Sequence, residues 1–409
     1  MLSGNCILLL NAGSSSLKCH VMSLPEGEPL AIGQFDWAGA TTRYHCVLGA
    51  VSRESSFTGR GHAEAVRAFL KDLRDSQLLG PSATGKLAGV GHRVVHGGEF
   101  SKAMLVTAEV EHRIDELSTL APLHNPPCLQ TLQAAREELS SLPHVAVFDT
   151  AFHATMPPSA VTYPIPEAWT EQWAIRRYGF HGLSHAYCSQ RAAFLLQRKV
   201  EELRLIICHL GHGCSASAVV GGKSLDTTMG FTPLDGLMMA TRCGAIDPGI
   251  IFFLQREYRL SPAEIEDQLQ RRSGLLGVSG LSADMREVLA AAAQGHARSQ
   301  LAVSIYVQRV KQVIGAYTAS MGGVDGLVFT AGVGENSAEI RRQVCQGLEV
   351  LGLQLDCAAN DGCSPDQAVS HARSPAQIFV IKTREELSLF REVASSLQLP
   401  DASLGESAG

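Results

Sequence analysis

Several features that mark other protein classes are missing from this 409-residue sequence. No apolar run approaches the roughly 18 residues that a membrane span requires. The apolar run before Asn11 is far shorter than the core of a signal peptide. Lys and Arg number 34 against 40 Asp and Glu, and the net charge of -6 gives no electrostatic reason to bind nucleic acid. We therefore expect no membrane and no nucleic-acid partner.

The cysteine pattern lacks the features of a disulfide framework. There are 11 cysteines, an odd number, and no two of them form a CxxC pair. Several fall within apolar runs, as Cys6, Cys208 and Cys345 do, where a small buried thiol packs well. This usage predicts a reducing, cytoplasmic setting.

The sequence also lacks an HExxH zinc motif. The pairs His92 with His96 and His181 with His185 have the i, i+4 spacing of zinc ligands, but Gly and Pro crowd those segments and no glutamate base accompanies them. A metal-dependent hydrolase built on these pairs and Asp149 remains the second hypothesis.

Strand-like and helix-like segments alternate along the chain, which predicts an α/β protein. Helical spacing is clear over 66–73 and over 303–317, the second closed by Gly322 and Gly323. The length suits two domains of ordinary size. The strand candidates are 7–10, 145–148, 205–208, 217–220, 327–330 and 378–381.

One segment of the chain is echoed further along. "ILLLNAGSSSLKCHV" and, about 200 residues later, "LIICHLGHGCSASAVV" each predict a strand, a polar turn containing glycine and a second strand. Asn11 corresponds to His209, and Gly13 to Gly211. The echo is either coincidence or the sign of two duplicated lobes, each with one turn that contacts phosphate.

The first of these turns favours an anion. It sets Asn11, Gly13, three serines and Lys18 side by side. It is not a Walker A loop, because Lys18 lacks the preceding glycine and leads into another strand. For this turn alone, a polar hairpin tip is the alternative.

A second glycine-rich segment, "FTAGVGENS", predicts a strand, a turn from Gly332 to Asn336, and then a helix with Ser337 near its start. Backbone can approach a ligand closely at Gly332 and Gly334, and a helix N-terminus favours an anion. Ser337 replaces the last glycine of GxGxxG, so we interpret the segment as a contact for nucleotide phosphate or ribose. A plain strand-to-helix turn is the alternative.

Polar and cationic residues follow several predicted strands. Asp149 comes directly after an apolar strand, where open α/β folds bind metals, although a turn cap is the alternative. Arg and His recur beside glycine or proline in "GHRVVHGG", "APLHNPP", "RRYGFHGLSH" and "MMATRCGAIDPG". Such loops carry catalytic groups, and planar guanidinium groups suit the oxygens of a phosphoryl group.

Taken together, these segments resemble the acetate kinase family of short-chain carboxylate kinases. The motifs are "NAGSSSLK", "GHRVVHGG", "HNPP", "VFDTAFHATMP", "YGFHGLSH", "TPLDGLMM", "IDPG" and "FTAGVGENS", in matching order from residue 7 to about 392. The resemblance implies two duplicated ribonuclease-H-like lobes of the acetate and sugar kinase, Hsp70 and actin type around a central nucleotide cleft. The N-terminal lobe would span 1–150, completed by a C-terminal helix at 386–409, and the nucleotide-binding lobe would span 151–385.

The resemblance also implies site residues, position by position. The catalytic set would be Asn11, Arg93, His124, Asp149, His181 and Arg242. ATP or ADP would contact Ser14, Ser16, Lys18, His209, Gly211, His212, Gly213, Asp284, Arg286, Gly332, Val333, Gly334 and Asn336. Mg²⁺, or Mn²⁺, would be held by Asn11, Asp149 and Glu385. The acid would contact Arg93, Val95, Leu123, Phe180 and Pro233.

The implied reaction is reversible transfer of the γ-phosphate of ATP to acetate, which gives acetyl phosphate and ADP. A carboxylic acid with a pKa of roughly 4 to 5 is already ionised at neutral pH, so the reaction needs no general base. Val95 fills space that propionate or butyrate would need, which favours acetate. A homodimer is implied by the resemblance alone. A nucleotide-binding module without catalysis is the third hypothesis.

Some positions depart from the family pattern. His212 stands where the second phosphate turn normally has Asn, and we expect it to alter nucleotide affinity or its pH dependence, since imidazole titrates near neutrality. The other departures are Cys128 for Asn, Asp235 for Glu, Ala245 for Asp and Arg384 for Asn.

Overall fold

A computed structural model describes residues 5–37, 42–76, 78 and 86–400. The first elements are β1 Cys6–Ala12, β2 Ser16–Ser23, β3 Pro29–Asp36, β4 Thr42–Leu48, β5 Val51–Phe57, α1 Gly61–Asp75, β6 Leu87–Val94, β7 Met104–Leu105, α2 Ala108–Glu116, α3 Asn125–Glu138 and β8 His144–Phe148. Next come α4 Pro158–Val161, α5 Glu167–Trp173, α6 Gly182–Leu196, β9 Arg204–Leu210, β10 Cys214–Val220, β11 Lys223–Thr227, α7 Gly249–Tyr258, α8 Pro262–Arg271, α9 Gly274–Ser279, α10 Met285–Ala293 and α11 Ala297–Met321. The last are β12 Gly326–Thr330, α12 Ala331–Asn336, α13 Ala338–Cys345, α14 Cys357–Asp361, β13 Gln367–Ala368, β14 Gln377–Val380 and α15 Glu385–Ser396.

The chain divides into two compact units. The first comprises Met1–Ala154 and Arg384–Gly409, and the second Thr155–Thr383. The last helix therefore belongs to the first unit and brings Glu385 with it. Residues 401–409 of the expected C-terminal helix lie outside the described residues.

The first unit is built on one mixed sheet. Among the described residues its strand order is β5-β4-β3-β2-β1-β6-β8-β7, with β1, β6 and β8 parallel and the remaining neighbours antiparallel. β1 is apolar at nearly every position because it is buried on both faces. Leu8 and Leu10 pack with α1 and α3 in one core, and α15 also packs against β1.

The second unit repeats this plan. Its order is β11-β10-β9-β12-β14-β13 within the described residues, with β9, β12 and β14 parallel. β9 and β10 form an antiparallel hairpin, as β1 and β2 do. In both sheets the first strand of the hairpin is followed by two parallel strands and a two-residue antiparallel edge strand. The echo in the sequence is thus a repeat of structure, and the predicted pair of ribonuclease-H-like lobes is confirmed.

The predicted local elements are also confirmed. All six strand candidates lie in or overlap observed strands, and the two helical patterns fall in α1 and α11. Gly322 ends α11 with φ of 68°, a left-handed conformation that glycine adopts without strain. Cys6, Cys208 and Cys345 are buried. Across the described residues, no helix combines the length and the apolar character needed to cross a membrane.

Candidate active site

Three neighbouring parallel strands of the first unit end at the same edge of the sheet. Asn11 lies in β1 and pairs with Arg93 in β6, and Asp149 comes directly after β8. The backbone N–H of Asp149 donates to the carbonyl of Val94 at 3.0 Å, which fixes the chain where β8 ends. The side chains predicted to be catalytic therefore meet where this fold class places ligands.

Arg93 lies at the centre of this cluster. Its Nε and Nη2 donate to both carboxylate oxygens of Asp149, with Nη2 2.6 Å from Oδ2, and its Nη1 donates to Asn11 Oδ1 at 3.1 Å. Nη1 also lies 3.2 Å from Oε2 of Glu385. Burial disfavours the charge on Arg93, but Asp149 and Glu385 more than offset this and raise the pKa of the guanidinium group. Arg93 is therefore held as a cation by two carboxylates.

Glu385 reaches this cluster because α15 packs closely on β6. A Cβ on Gly89 would lie 2.5 Å from Leu397, and one on Gly91 would lie 2.5 Å from Val393. The helix thus runs antiparallel to the strand, and its first turn lies near the end of β6. Glycine at both positions lets the last helix lie this close to β6, with Glu385 beside Arg93.

The oxygen donors of this cluster fit magnesium. Asp149 is 1% exposed, and the carboxylate of Glu385 and the carboxamide oxygen of Asn11 lie around the same guanidinium group. Nowhere in the described part of the chain do three or more His, Cys, Asp or Glu gather as metal ligands. Mg²⁺ needs few protein ligands, since it binds through one or two carboxylates, waters and substrate phosphates. The donor set suits that ion better than Zn²⁺.

The predicted first phosphate turn is the tip of the β1–β2 hairpin. The N–H of Gly13 donates to the carbonyl of Ser16 at 2.8 Å, and the ring of His62 lies 2.8 Å from the carbonyl oxygen of Gly13. Ser14 and Lys18 are exposed, and Ser16 is half-buried. The turn presents hydroxyl groups and a lysine ammonium group to solvent, as an anion site requires.

In the second unit, the side chains of His181 and Arg242 lie beside the turn between β9 and β10. A Cβ on Gly213 would lie 3.5 Å from Nε2 of His181 and 3.6 Å from Nη1 of Arg242. The rings of His181 and His209 stack with centroids 4.1 Å apart. The residues predicted for catalysis and for the second phosphate turn are thus brought together within this unit.

Arg242 carries a charge with no carboxylate to balance it. Its Nη1 donates to the carbonyl oxygen of Pro233 at 3.2 Å, and in the described part of the chain no Asp or Glu forms an ion pair with it. Burial lowers the pKa of Arg242 and is also the main cause that lowers the pKa of the nearby His212. A half-buried cation without a counter-charge is stabilised when an anion binds beside it.

The glycine-rich segment is not the open turn that the sequence predicted. Ala331–Asn336 forms a short helix, α12, and Ser337 then caps α13 by accepting from the N–H of Ile340. The side chain of Asn336 donates to the carbonyl of Gly332 at 2.8 Å, which closes the short helix on itself. Because β9 and β12 are parallel neighbours, this helix begins beside the second phosphate turn, and a Cβ on Gly211 would lie 3.5 Å from Ala331.

Two residues that sequence reasoning missed hold α12 in place. Arg341 is 2% exposed and donates to the carbonyl oxygens of Gly334 and Glu335 at 2.9 and 2.8 Å. The carboxylate of Glu335 accepts from the N–H groups of Ala331 and Thr383. Nothing in the sequence pattern distinguishes Arg341 from its exposed neighbour Arg342.

The remaining predicted residues lie in both units. In the first unit, Val95 follows β6, and Leu123 and His124 precede α3. In the second, Phe180 is buried directly before His181. Asp284 caps α10 by accepting from the N–H of Arg286, whose side chain pairs with it at 2.5 Å. Val333 lies within α12.

The two histidine pairs do not point to zinc ligation. His92 Nε2 lies 2.9 Å from Nδ1 of His144, whereas Nδ1 of His96 accepts from the N–H of Gly98 at 3.1 Å. His181 and His185 both approach the hydroxyl group of Ser215. Each pair thus makes hydrogen bonds, and among the described residues neither pair belongs to a group of three or more His, Cys, Asp or Glu that could hold a metal ion.

The two duplicated lobes, each built on a mixed sheet with the same strand plan, define a protein of the acetate and sugar kinase, Hsp70 and actin class. A model of the acetokinase family matches residues 6–391. An acetate kinase of Alkaliphilus metalliredigens is 45% identical over 393 residues, which is 95% of this chain and 99% of the relative. One from Microcystis aeruginosa is 45% identical, over 94% of this chain and 98% of the relative.

Solved structures agree with the sequence relatives. An acetate kinase of Porphyromonas gingivalis superposes with a TM-score of 0.89 at 38% identity, over 96% of this chain and all of that one. A propionate kinase of Francisella tularensis gives a TM-score of 0.88 at 38% identity, over 95% of this chain and 98% of that one. The chain therefore belongs to the acetokinase family and is a kinase, as the motifs predicted.

Proposed function

We propose that this kinase transfers the γ-phosphate of ATP to acetate, giving acetyl phosphate and ADP, and that it catalyses the reverse reaction. The observation that carries the proposal is Arg242, a half-buried cation that pairs with no carboxylate of the described residues and lies with His181 beside the second phosphate turn. An ionised carboxylate is its own nucleophile, so a site that supplies positive charge and no general base fits this chemistry. The relatives include an acetate kinase and a propionate kinase, which agrees with a short carboxylic acid as acceptor.

The main barrier is repulsion between two anions. We assign to Arg93 and Arg242 the neutralisation of the carboxylate and of the equatorial phosphoryl oxygens, and to His181 and His124 hydrogen bonds to those oxygens. A guanidinium group suits this role because it stays charged and donates in a plane. Transfer is direct and in line, with no covalent intermediate on the protein.

Asp149, Glu385 and the carboxamide of Asn11 are the residues that would hold Mg²⁺, or Mn²⁺. When bound, the ion would reduce the negative charge of the nucleotide phosphates. The fit rests on the donor set around Arg93, two carboxylates and one carboxamide oxygen.

The nucleotide contacts follow the two hairpin turns and the helix after β12. We assign the first phosphate contacts to Ser14, Ser16 and Lys18, and the second to the backbone of His209, Gly211, His212 and Gly213. The adenosine end would contact Asp284, Arg286, Gly332, Val333, Gly334 and Asn336. The proximity of Gly211 to Ala331 supports a continuous surface in the second unit.

We assign contacts with the alkyl group of the acid to four apolar residues, Val95, Leu123, Phe180 and Pro233. An extra methylene in a tight apolar site is worth about 1 to 3 kcal/mol. Propionate or butyrate is the alternative acceptor, and a relative named as a propionate kinase keeps that alternative open. A Val95→Ala variant should shift the ratio of kcat/KM from acetate towards propionate by about tenfold.

A hydroxamate assay with ATP and Mg²⁺ against formate, acetate, propionate and butyrate tests reaction and pocket together. We expect acyl phosphate to form, fastest with acetate. Arg242→Gln should lower kcat by at least about 100-fold, whereas Arg43→Gln, which removes an exposed arginine paired with Asp36, should leave it unchanged. Absence of acyl phosphate with every acid would refute the proposal.

We propose that the chain forms a homodimer through α7. The first half of this helix, residues 250–254, is apolar at every position, and none of the residues of the helix is buried. Ile250, Phe252, Phe253 and Tyr258 are 44–64% exposed. A second copy would remove these rings from water. Phe252→Glu should yield a monomer in sedimentation equilibrium, and a wild-type monomer would contradict the proposal.

A cytoplasmic location agrees with the thiols. All 11 cysteines are free. Disulfide-free proteins of this cysteine content are typical of reducing compartments. Fractionation of the producing cell would test the location.

A further inference from the structure

Ser215 lies between the rings of His185 and His181, the histidine predicted to be catalytic. Its Oγ lies 2.9 Å from Nδ1 of His181 and 2.8 Å from Nε2 of His185, and its side chain is fully buried. A serine hydroxyl group has one proton and can also accept. One atom therefore links the two imidazole rings.

The ring of His181 is oriented from three sides. Its backbone is left-handed, with φ of 58° at the N-cap of α6. The ring of His209 covers one face, and His209 is itself bonded to Ser184 at 2.8 Å. Ser215 lies at hydrogen-bond distance from Nδ1, and Nε2 is on the edge of the ring beside Gly213 and Arg242.

We propose that Ser215 is a positioning residue that fixes the tautomer of His181. The N–H of His185 donates to Ser215, and the hydroxyl group of Ser215 donates to Nδ1 of His181. The proton of neutral His181 is then on Nε2, the nitrogen beside the second phosphate turn. This inference rests on the proposed role of His181 in binding a phosphoryl oxygen.

The donor and acceptor roles in these two hydrogen bonds follow from the charge of the expected phosphate. In the reverse order, Nδ1 of His181 would donate to Ser215, and Nε2 would present a lone pair. A lone pair repels an anionic oxygen, whereas an N–H group stabilises it. Only the order that starts at His185 gives His181 a donor at the site where phosphate is expected.

Ser217 provides a matched control on the same strand. It lies two residues further along β10, on the same face, and is also fully buried. Its hydroxyl group donates to Thr227 Oγ1 at 2.9 Å rather than to an imidazole. Alanine at either position removes one buried hydroxyl group, so the cost to folding is similar in the two variants.

The experiment compares Ser215→Ala, Ser217→Ala, His181→Ala and the double variant of 215 and 181, each checked for folding by circular dichroism. We expect Ser215→Ala to lower kcat about tenfold with little change in KM for ATP, and Ser217→Ala to stay within about twofold. In the His181→Ala background, the change at 215 should cost nothing more, because the residue it positions is gone.

The pH profile gives a readout that a structural role would not produce. A protonated imidazole carries protons on both nitrogens, so the tautomer no longer matters. The kcat of Ser215→Ala should therefore approach that of the wild type as the pH falls from 8 to 6. His185, His209 and Arg242 lie around the same ring in both proteins, so the ratio isolates Ser215.

The outcomes separate this inference from the site assignment. Equal losses in Ser215→Ala and Ser217→Ala, a deficit independent of pH, or additive losses in the double variant would each overturn the role of Ser215. A His181→Ala variant with wild-type kcat would instead overturn the proposed role of His181.

Discussion

Replacing Asp149 with Asn tests the centre of the proposed site. The change keeps the shape of the side chain but removes the charge that accepts three hydrogen-bond contacts from Arg93. Asp149 is 1% exposed, so water cannot replace the lost interaction. The guanidinium group keeps Glu385 as its remaining carboxylate.

The structure sets the expected magnitude. Breaking a buried ion pair costs about 3 to 5 kcal/mol of unfolding free energy. Glu385 stays 3.2 Å from Nη1 and is 18% exposed, so it retains part of the neutralisation. We therefore expect a loss near the lower end, about 3 kcal/mol. Glu385→Gln removes the single, more exposed contact and should cost only about 1 kcal/mol.

Two assays separate stability from function. Urea unfolding of the ligand-free protein, followed by circular dichroism, gives the stability loss. The hydroxamate assay over a range of Mg²⁺ should show kcat lowered at least about 100-fold for Asp149→Asn and a higher half-saturating Mg²⁺ concentration. Asp325→Asn, which removes a carboxylate paired with Arg204 at 3.1 Å, should lower stability without lowering kcat. An Asp149→Asn protein with wild-type stability and kcat would refute the reasoning.

Three further predictions concern charge. Burial and Arg242 lower the pKa of His212, so its imidazole is neutral in the free protein at pH 7. Protonation beside bound phosphates should lower the KM for ATP as the pH falls from 8 to 6. His212→Asn should abolish that trend, and a wild-type KM that does not change with pH would contradict the prediction. Burial lowers the pKa of His96 to about 4, so the unfolded chain binds the proton more readily than the folded protein does. The unfolding free energy should therefore fall below pH 6.5, by about 2 kcal/mol at pH 5. Urea titrations of His96→Asn should show a smaller fall. Arg341→Gln should raise the KM for ATP more than it lowers kcat, since Arg341 holds α12; an unchanged KM would show that α12 keeps its position without it.

Residues 331–336 form a short helix rather than the predicted open turn because of the hydrogen bonds that this segment makes. Glycines at 332 and 334 suggested an open turn, because glycine disfavours helix interiors. The buried side chain of Arg341 and the carboxylate of Glu335 supply hydrogen bonds that hold a short helix there. The bonds from Arg341 come from the following helix, α13, so the pattern within residues 331–336 does not reveal them.

The sequence by itself determined the strands, the two hairpin turns, their repetition and the family, because apolar periodicity, glycine and motif order are local properties of the chain. Only the tertiary structure decided which charges meet. Arg93 contacts Asn11, Asp149 and Glu385 because β1, β6 and β8 are neighbours and α15 returns to pack on β6. Arg242 pairs with no carboxylate in the part of the chain that the structure describes, and Ser215 lies between two imidazole rings, for the same reason: strand order and helix packing set distances between residues that are far apart in the chain.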